Sequence, residues 1–339
     1  MYGLARSLLF RLDPETAHGL TLKGIHLGSQ MKLMRLVSGQ MVKDEVSVMG
    51  ITFPNRVGLA AGLDKNADYL PALGSLGFGF IEVGTVTPLP QPGNPKPRLF
   101  RLPEREAIIN RMGFNNKGVD HLVAQLSQHR ASFDGVVGVN IGKNKDTPLE
   151  RAVDDYLTCL RAVHAHADYI AVNISSPNTP GLRTLQADDT LDPLLSALKE
   201  EVTRLDAATG RRVPIAVKIA PDMSGEELDA LADTLARNAI DGVIATNTTV
   251  DRRAIAGVHH ASETGGLSGR PVAAEATKVV ARLRKRLPSL PIIGAGGILS
   301  GHDALEKRRA GADLVELYSG LIYRGPRLVC ECARALRDV

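Results

Sequence analysis

The residues with the clearest chemical potential form one polar stretch, Asn173–Arg183 (Asn-Ile-Ser-Ser-Pro-Asn-Thr-Pro-Gly-Leu-Arg). It directly follows the apolar run Asp168–Val172, which is typical of a buried strand. Amides and hydroxyls at the end of a parallel strand occupy the position at which α/β proteins place their active sites. The alternative is a simple turn, because Ser, Pro, Asn and Gly all favour turns for local backbone reasons.

The same arrangement recurs along the chain, which favours a site over a turn. Further apolar runs end in glycine, amide, hydroxyl or lysine residues at Ala60–Asn66, Gly84–Thr87, Asn140–Asn144, Lys218 and Thr246–Thr249. In a parallel barrel these positions meet at one mouth, where the amides suit a planar ligand that forms hydrogen bonds. No His–Asp–Ser order, paired carboxylates or HExxH motif stands out, so hydrolysis and zinc chemistry are poorly supported. We expect no metal.

Two glycine-rich runs, Gly294–Ile298 and Tyr318–Gly320, follow the last two predicted strands. Glycine lets backbone N–H groups approach an anion closely, and barrels often bind phosphate between these two loops. We therefore expect a phosphorylated ligand there, although glycines also make tight turns. A third run, Gly265–Gly269, either covers that phosphate or serves as a flexible lid.

The elements that position these residues alternate between short apolar runs and helical stretches, which is the pattern of β–α units around a parallel sheet. The predicted strands are Arg56–Leu59, Phe80–Val86, Val136–Ile141, Tyr169–Ile174, Ile215–Ile219, Gly242–Thr246, Ile292–Gly294 and Leu314–Tyr318. The predicted helices between and after them include Leu149–His166, Leu191–Ala208, Gly225–Asn238, Val272–Leu287 and His302–Ala310. Eight units indicate an α/β fold of the (β/α)8 or TIM barrel type, since a doubly wound sheet more often stops at five or six strands.

Residues 1–43 are predicted to form a small helical appendage, and residues 44–339 the barrel. Asp13 and Pro14 are typical of an N-cap and first turn, and they begin a helix that runs to about Leu27. The segment carries six basic and two acidic residues, which accounts for the formal net charge of +4 of the 339-residue chain. Such a basic, amphipathic segment either docks on its own barrel or lies in a membrane interface.

Composition restricts the remaining classes of function. The chain has no tryptophan, and Phe10 is the one aromatic residue among the N-terminal cations, so nucleic-acid binding by base stacking has little support. Cys159, Cys330 and Cys332 are scattered in predicted helices, which suggests neither a disulfide framework nor a zinc site. No apolar run approaches the roughly 20 residues that span a bilayer, and no signal peptide is visible. We expect a protein made and kept in the cytoplasm.

Seven runs together resemble one enzyme family. They are Ala60–Asn66 (AAGLDKN), Asn110–Asn116 (NRMGFNN), Asn140–Thr147 (NIGKNKDT), Asn173–Arg183 (NISSPNTPGLR), Thr246–Thr249 (TNTT), Gly265–Pro271 (GGLSGRP) and Gly294–Ile298 (GAGGI). They are similar to dihydroorotate dehydrogenase of the membrane-associated, quinone-dependent class (class 2), and the resemblance covers nearly the whole chain. It implies an FMN-containing (β/α)8 barrel that oxidises dihydroorotate to orotate in pyrimidine (UMP) synthesis.

The resemblance implies roles for individual residues. Ser176 matches the catalytic base of the family, which is a Cys in the soluble class. This base removes the C5 proton of dihydroorotate while hydride leaves C6 for the flavin. Ser175 is the alternative. An unperturbed hydroxyl is a poor base, so the site must activate Ser176. The implied substrate-binding residues are Lys65, Asn110, Arg111, Met112, Gly113, Phe114, Asn173, Asn178, Asn247 and Thr248. The implied FMN-binding residues are Ala61, Gly62, Leu63, Asp64, Lys65, Thr85, Asn140, Asn173, Lys218, Thr246, Gly269, Gly297, Tyr318 and Ser319.

The family also implies a second substrate, a membrane quinone that reoxidises the flavin. His18, Arg101 and Tyr318 resemble residues on the quinone path, although a lone helical His is often only a surface or capping residue. The family further implies a monomer in peripheral contact with the cytoplasmic side of the cell membrane. The competing hypothesis from the residues alone is a non-redox barrel that binds a phosphorylated ligand as a sensor or scaffold.

Overall fold

The computed structural model describes residues 2–31 and 34–337. Residues 1, 32 and 33 of the predicted appendage 1–43, and residues 338 and 339 of the predicted barrel segment 44–339, lie outside the described residues.

The strands are β1 (Val46–Val48), β2 (Ile51–Phe53), β3 (Val57–Leu59), β4 (Phe80–Val86), β5 (Leu99–Leu102), β6 (Ala107–Asn110), β7 (Val136–Ile141), β8 (Tyr169–Asn173), β9 (Ile215–Ile219), β10 (Gly242–Ala245), β11 (Gly266–Gly269), β12 (Ile292–Ala295) and β13 (Leu314–Leu317). The α-helices are α1 (Tyr2–Leu9), α2 (Pro14–Gln30), α3 (Met34–Ser38), α4 (Leu70–Gly74), α5 (Val119–His129), α6 (Ala152–Val163), α7 (Asp188–Thr209), α8 (Gly225–Arg237), α9 (Ala273–Arg286), α10 (Gly301–Arg309), α11 (Ser319–Arg324) and α12 (Arg327–Arg337).

Eight parallel strands close into a barrel in the order β3, β4, β7, β8, β9, β10, β12, β13 and back to β3. All eight predicted strands are therefore confirmed, each to within one residue at either end. The runs are apolar on both faces because one face fills the barrel and the other packs under the helices; every residue of β8 and β9, for example, is buried. The (β/α)8 barrel predicted from the sequence is thus the observed fold.

Two additions to the barrel were not predicted. The hairpin β1–β2 packs against the barrel interior, with Phe53 of β2 in edge-to-face contact with Phe80 of β4 at 5.3 Å between ring centroids. β5, β6 and β11 form a separate antiparallel sheet, in which β6 is central. The run Gly265–Gly269, for which a phosphate cover and a flexible lid were both considered, supplies β11 of this sheet.

The N-terminal appendage has the predicted helices. Asp13 caps α2 by accepting a hydrogen bond from the N–H of Thr16, and Pro14 is its first residue. On the inner side of α2, Leu22 joins the hydrophobic core of the barrel, so the segment docks on its own barrel. Several large apolar side chains of α1 and α2 remain exposed, Leu4 and Leu8 among them. Within the described residues, the helices are too short or too polar for any of them to cross a bilayer.

Candidate functional site

The carboxyl ends of the barrel strands surround one cavity of about 1060 Å³ of empty space, part of which is open to solvent. Most of the side chains singled out from the sequence line it. They are Ala61, Gly62, Lys65, Thr85, Asn110, Met112, Gly113, Phe114, Asn173, Ser176, Asn178, Lys218, Thr246, Asn247, Thr248, Gly269, Gly297, Tyr318 and Ser319.

Four further candidates lie behind this lining or turn away from it. Arg111 bonds Glu263 at 2.7 Å and stacks over the Phe100 ring. Leu63 belongs to the hydrophobic core. Asp64 is buried and accepts backbone N–H groups, including that of Tyr69 at 2.8 Å, and its pKa is raised to about 6, mainly by burial. Asp64 therefore folds the loop that presents Lys65. Asn140, the fourth, supports the amide network described next.

A hydrogen-bonded network of amides and hydroxyls forms one wall of the cavity. Asn173 donates from Nδ2 to Thr85 Oγ1 at 3.0 Å and to Asn140 Oδ1 at 3.2 Å. Its Oδ1 accepts from Asn247 Nδ2 at 3.4 Å and from the Ser175 hydroxyl at 3.2 Å. Because each member fixes the next, these side chains are held rigid at the surface that a planar ligand would contact.

The two neighbouring serines occupy different environments. Ser175 is fully buried and its Oγ accepts a hydrogen bond from Asn247 Nδ2 at 3.0 Å, so it holds the wall together. Ser176 lines the cavity, where its Oγ accepts the backbone N–H of Asn178 at 3.2 Å. That bond occupies one lone pair of the Ser176 oxygen and leaves a second, with which Oγ could accept a proton from a ligand. Geometry therefore favours Ser176 over Ser175 as the reacting group.

The part of the cavity beside β6 combines one cation with several amides. Asn178 Nδ2 donates to Asn110 Oδ1 at 3.3 Å. Among the described residues no carboxylate lies within 4.0 Å of Lys65 Nζ, and the Thr248 hydroxyl is buried without a hydrogen-bond partner. Burial, and to a smaller extent the charge of Arg98, lowers the pKa of Lys65 to about 8. This arrangement suits an anionic ligand that also offers groups for hydrogen bonding.

The second lysine of the cavity, Lys218, is paired with carboxylates inside the barrel. Its Nζ lies 2.9 Å from Glu82 Oε1 and 3.4 Å from Glu316 Oε2, and both glutamates are buried. Burial alone would lower the pKa of Lys218, but the two carboxyl groups outweigh it and raise the pKa. Glu82 also accepts from Asn140 Nδ2 at 2.9 Å and from the Tyr169 hydroxyl at 3.2 Å. Lys218 is thus held as a fixed ammonium beneath the cavity.

The glycine-rich loops after β12 and β13 form the opposite end of the cavity. A Cβ on Gly297 would lie 2.3 Å from Ala273 Cα at the start of α9, and one on Gly320 would lie 2.0 Å from the Ile298 carbonyl oxygen. Only glycine fits at these two positions. The hydroxyls of Ser319 and Ser268 meet at 2.8 Å beside them. Closely approaching backbone and two hydroxyls make a suitable cradle for a phosphate group.

The three residues singled out for a quinone path are spread between the appendage and the cavity. Tyr318 lines the cavity under Gly62, where a Cβ would be 3.2 Å from the Tyr318 ring. His18 of α2 lies beside the Leu63 backbone, and burial, followed by the nearby charge of Lys65, lowers its pKa to about 4. Arg101 of β5 binds the carbonyl oxygens of Leu9 at 3.1 Å, Phe10 at 3.3 Å and Leu12. Arg101 thereby holds the turn between α1 and α2.

Comparison with known proteins identifies the family. The family model described as dihydroorotate dehydrogenase matches residues 43–339. The chain belongs to the dihydroorotate dehydrogenase family. Two bacterial relatives are each called dihydroorotate dehydrogenase (quinone). The one from Teredinibacter turnerae is 60% identical over 337 residues, which are 99% of each chain. The one from Chromobacterium violaceum is 60% identical over 99% of this chain and 97% of the relative.

Solved structures agree with the family assignment. The ligand-free DHODH from Eimeria tenella is 42% identical, with a TM-score of 0.87, over 96% of this chain and 94% of that chain. A crystal structure of the same organism's enzyme in complex with ferulenol is 41% identical, with a TM-score of 0.85 and coverage of 96% and 90%. The class 2 resemblance inferred from the motifs is thereby confirmed.

Sequence reasoning missed several residues of this dihydroorotate dehydrogenase family site. Ser268 and Glu316 line the cavity, and Glu82 lies below it in contact with Lys218. A signal existed for the two acids, because each is the only charged residue of a buried strand, and carboxylates are rarely buried unless they are paired. Ser268 lies within the quoted run Gly265–Pro271, but only the fold brings it to Ser319.

Proposed function

We propose that this chain is a flavin-dependent, quinone-reducing dihydroorotate dehydrogenase that uses FMN and oxidises dihydroorotate to orotate in pyrimidine synthesis. The observation that carries the proposal is a single cavity with two chemically distinct ends. A phosphate cradle occupies one end, and Ser176 with Lys65 and its neighbouring amides occupies the other, while the fixed ammonium of Lys218 lies next to Asn173 of the amide wall. The competing hypothesis of a non-redox barrel is set aside because the chain belongs to an oxidoreductase family.

The residues at the cradle fit FMN rather than a flavin without phosphate. The glycine loops and the Ser268 and Ser319 hydroxyls would hold the phosphate. Thr246, Gly269 and Tyr318 with the Ala61–Gly62 backbone would enclose the rest of the cofactor. Bound FMN supplies a two-electron acceptor. The Lys218 ammonium would stabilise the negative charge that grows beside it on reduction.

The substrate would lie over Ser176. Lys65 would pair with the substrate carboxylate, while the side chains of Asn110, Asn173, Asn178, Asn247 and Thr248 would bind the ring carbonyl and N–H groups. The unpartnered Thr248 hydroxyl is explained if a ligand supplies its partner. Ser176 Oγ would take the proton from C5 while its own hydroxyl proton passes to solvent, and the hydrogen of C6 would leave with its bonding electrons as hydride to the bound flavin. The rigid amide wall would keep C5 in reach of the Ser176 oxygen.

The appendage would bring the enzyme to its second substrate. We assign residues 1–43 to membrane contact and quinone access and residues 44–339 to the FMN-binding barrel. The exposed leucines of α1 and α2, together with the basic residues of this segment, would place the enzyme peripherally on the cytoplasmic side of the cell membrane as a monomer. His18, Arg101 and Tyr318 would lie along the quinone path to the flavin.

One spectrum tests the central proposal. Purified protein should be yellow, and dihydroorotate added without oxygen should bleach it. A short-chain quinone should then restore the colour. Protein that carries FMN but is not bleached by dihydroorotate would exclude the proposed substrate, and protein that is bleached but not recoloured by quinone would exclude the proposed acceptor.

A further inference from the structure

The first turn of α2 reaches across to the barrel through one buried ion pair. Arg98 donates to both carboxylate oxygens of Glu15, from Nη2 at 3.0 Å and from Nε at 3.2 Å. The Arg98 side chain is only 8% exposed and that of Glu15 16%. Bidentate pairs of this kind are strong and geometrically specific. A residue of the appendage therefore holds a guanidinium that belongs to the barrel side.

Arg98 in turn fixes the segment that precedes it, residues 91–98, which we call the bridging segment. Its Nη1 donates to the carbonyl oxygens of Pro92 at 2.7 Å and Asn94 at 2.8 Å. The bridging segment thus folds around the same guanidinium that Glu15 binds. Because Arg98 binds both of these carbonyls, a displacement of Arg98 would displace the part of the segment around Pro92 and Asn94.

The bridging segment is bonded to both loops that carry the substrate-binding residues. Asn94 Nδ2 donates to the carbonyl oxygens of Arg111 at 3.0 Å and Asn178 at 3.3 Å, and the Asn94 N–H donates to Met112 at 3.0 Å. Gln91 Nε2 donates to the Gly113 carbonyl oxygen at 3.0 Å. Hydrogen bonds therefore run from the appendage to the substrate end of the cavity without a break.

We propose that Glu15 is a positioning residue for substrate binding, which acts through Arg98 and the bridging segment on the loops that contain Asn110–Phe114 and Ser176–Asn178. This inference rests on the proposed function of the cavity. It gives the appendage a role on the dihydroorotate side of the reaction in addition to quinone access. A segment that only docked on the barrel would need apolar contacts such as those of Leu22, and no buried carboxylate.

Electrostatics at the cavity support the same link. The charge of Arg98 lowers the pKa of Lys65, whereas the charge of Glu15 raises it, although burial has the largest effect. Glu15 therefore offsets the charge of Arg98 near the lysine assigned to the substrate carboxylate. Without Glu15, the Arg98 guanidinium would be left buried and unpaired beside Lys65.

The test is orotate binding to the full-length, FMN-loaded enzyme, followed by the change in the flavin absorption spectrum. We expect E15Q to raise the orotate Kd at least about fivefold, the lower end of typical coupling between sites. K96M is the matched control, because Lys96 also lies within ion-pair distance of Glu15, at 3.6 Å, but is 67% exposed. Exposed pairs contribute little, so K96M should bind orotate as the wild type does.

A second variant separates the link from docking of the appendage. N94A leaves Glu15 and Arg98 in place and removes two bonds to the substrate loops, so it should also raise the orotate Kd. If Glu15 acts through the bridging segment, the orotate Kd of the double variant E15Q/N94A should not exceed that of whichever single variant binds orotate less tightly. The proposal would be overturned if the increase in orotate Kd of the double variant equalled the product of the two single increases. So would an E15Q enzyme with unchanged orotate Kd and only a raised KM for quinone. Failure of dihydroorotate to bleach the wild type would instead refute the proposed function.

Discussion

Replacing Glu316 by Gln should remove the pH dependence that the titration of this one carboxyl group gives to the free energy of unfolding. Glu316 and Glu82 share one lysine, but Glu82 takes the shorter contact with Lys218 and two further donors. Among the described residues no donor reaches Glu316 Oε1. Burial, and then the neighbouring charge of Glu82, raises the pKa of Glu316 well above its ordinary value of 4.5. We therefore expect Glu316 to stay protonated in the folded enzyme.

The size and sign of the effect follow from proton linkage. Above about pH 4.5 the unfolded chain releases the Glu316 proton while the folded state keeps it, so the free energy of unfolding falls by about 1.4 kcal/mol per pH unit. This stability is fully present below the unfolded-state pKa and is lost as pH rises toward the raised folded-state pKa. Gln is neutral in both states, so E316Q lacks this contribution. Over the pH interval between the unfolded-state and the raised folded-state pKa, the variant should therefore gain about 1.4 kcal/mol per pH unit relative to the wild type.

Urea unfolding of both proteins, followed by circular dichroism across that pH range, measures the difference. FMN should be present at the same excess for both proteins. Its contribution to the free energy of unfolding is calculated from the measured FMN Kd of each protein and subtracted. Titrating groups that do not interact with Glu316 cancel in the comparison. Parallel pH profiles would refute a protonated Glu316. E82Q is the contrasting variant, since it removes the main partner of a buried ammonium and should cost about 3–5 kcal/mol.

Three further predictions concern the proposed reaction. S176A should keep FMN but slow flavin reduction by dihydroorotate roughly 10²–10⁴-fold, as expected for loss of a catalytic base; full activity in a stopped-flow assay would move that role elsewhere. Orotate affinity, titrated spectroscopically, should fall as pH rises above about 8, because Lys65 then loses its positive charge; a flat profile would remove Lys65 from the carboxylate site. Leu4 and Leu8 are 77% and 64% exposed on one face of α1. L4S/L8S should weaken liposome binding on the order of a hundredfold by losing about 3 kcal/mol of apolar burial, without affecting bleaching by dihydroorotate.

The barrel was predictable because its strands are buried on both faces. Runs such as Ile215–Ile219, in which every residue but Lys218 is apolar and all are buried, were located to the residue. The sheet of β5, β6 and β11 was not predictable in the same way. Its central strand pairs Ala107–Asn110 with Gly266–Gly269, a segment more than 150 residues away that is rich in glycine. Pairing over that distance leaves no local pattern, and glycine does not favour strands.

Residue types at the strand ends predicted most of the cavity lining, but not the partners that give each residue its chemistry. Lys218 was identified from its position after an apolar run, whereas Glu82 and Glu316, 136 and 98 positions away, became relevant only when the barrel closed. The distinction between Ser175 and Ser176 also required the structure. Adjacent residues differ in which side of the loop they occupy, and hydrogen bonds to Asn173 and Asn247 turn Ser175 inward.

The opposite pKa shifts of the two cavity lysines fit two different electrostatic tasks. A lysine that pairs with a substrate carboxylate meets its counter-ion only while substrate is bound. Leaving Lys65 without a carboxylate avoids a competing internal partner, and the cost of burying its charge appears as a lowered pKa. A lysine beside a permanently bound cofactor must stay charged in every step, and two carboxyl groups keep Lys218 protonated. A proton on Glu316, which its raised pKa favours, would then prevent that pair of acids from cancelling the positive charge that Lys218 would present to the flavin.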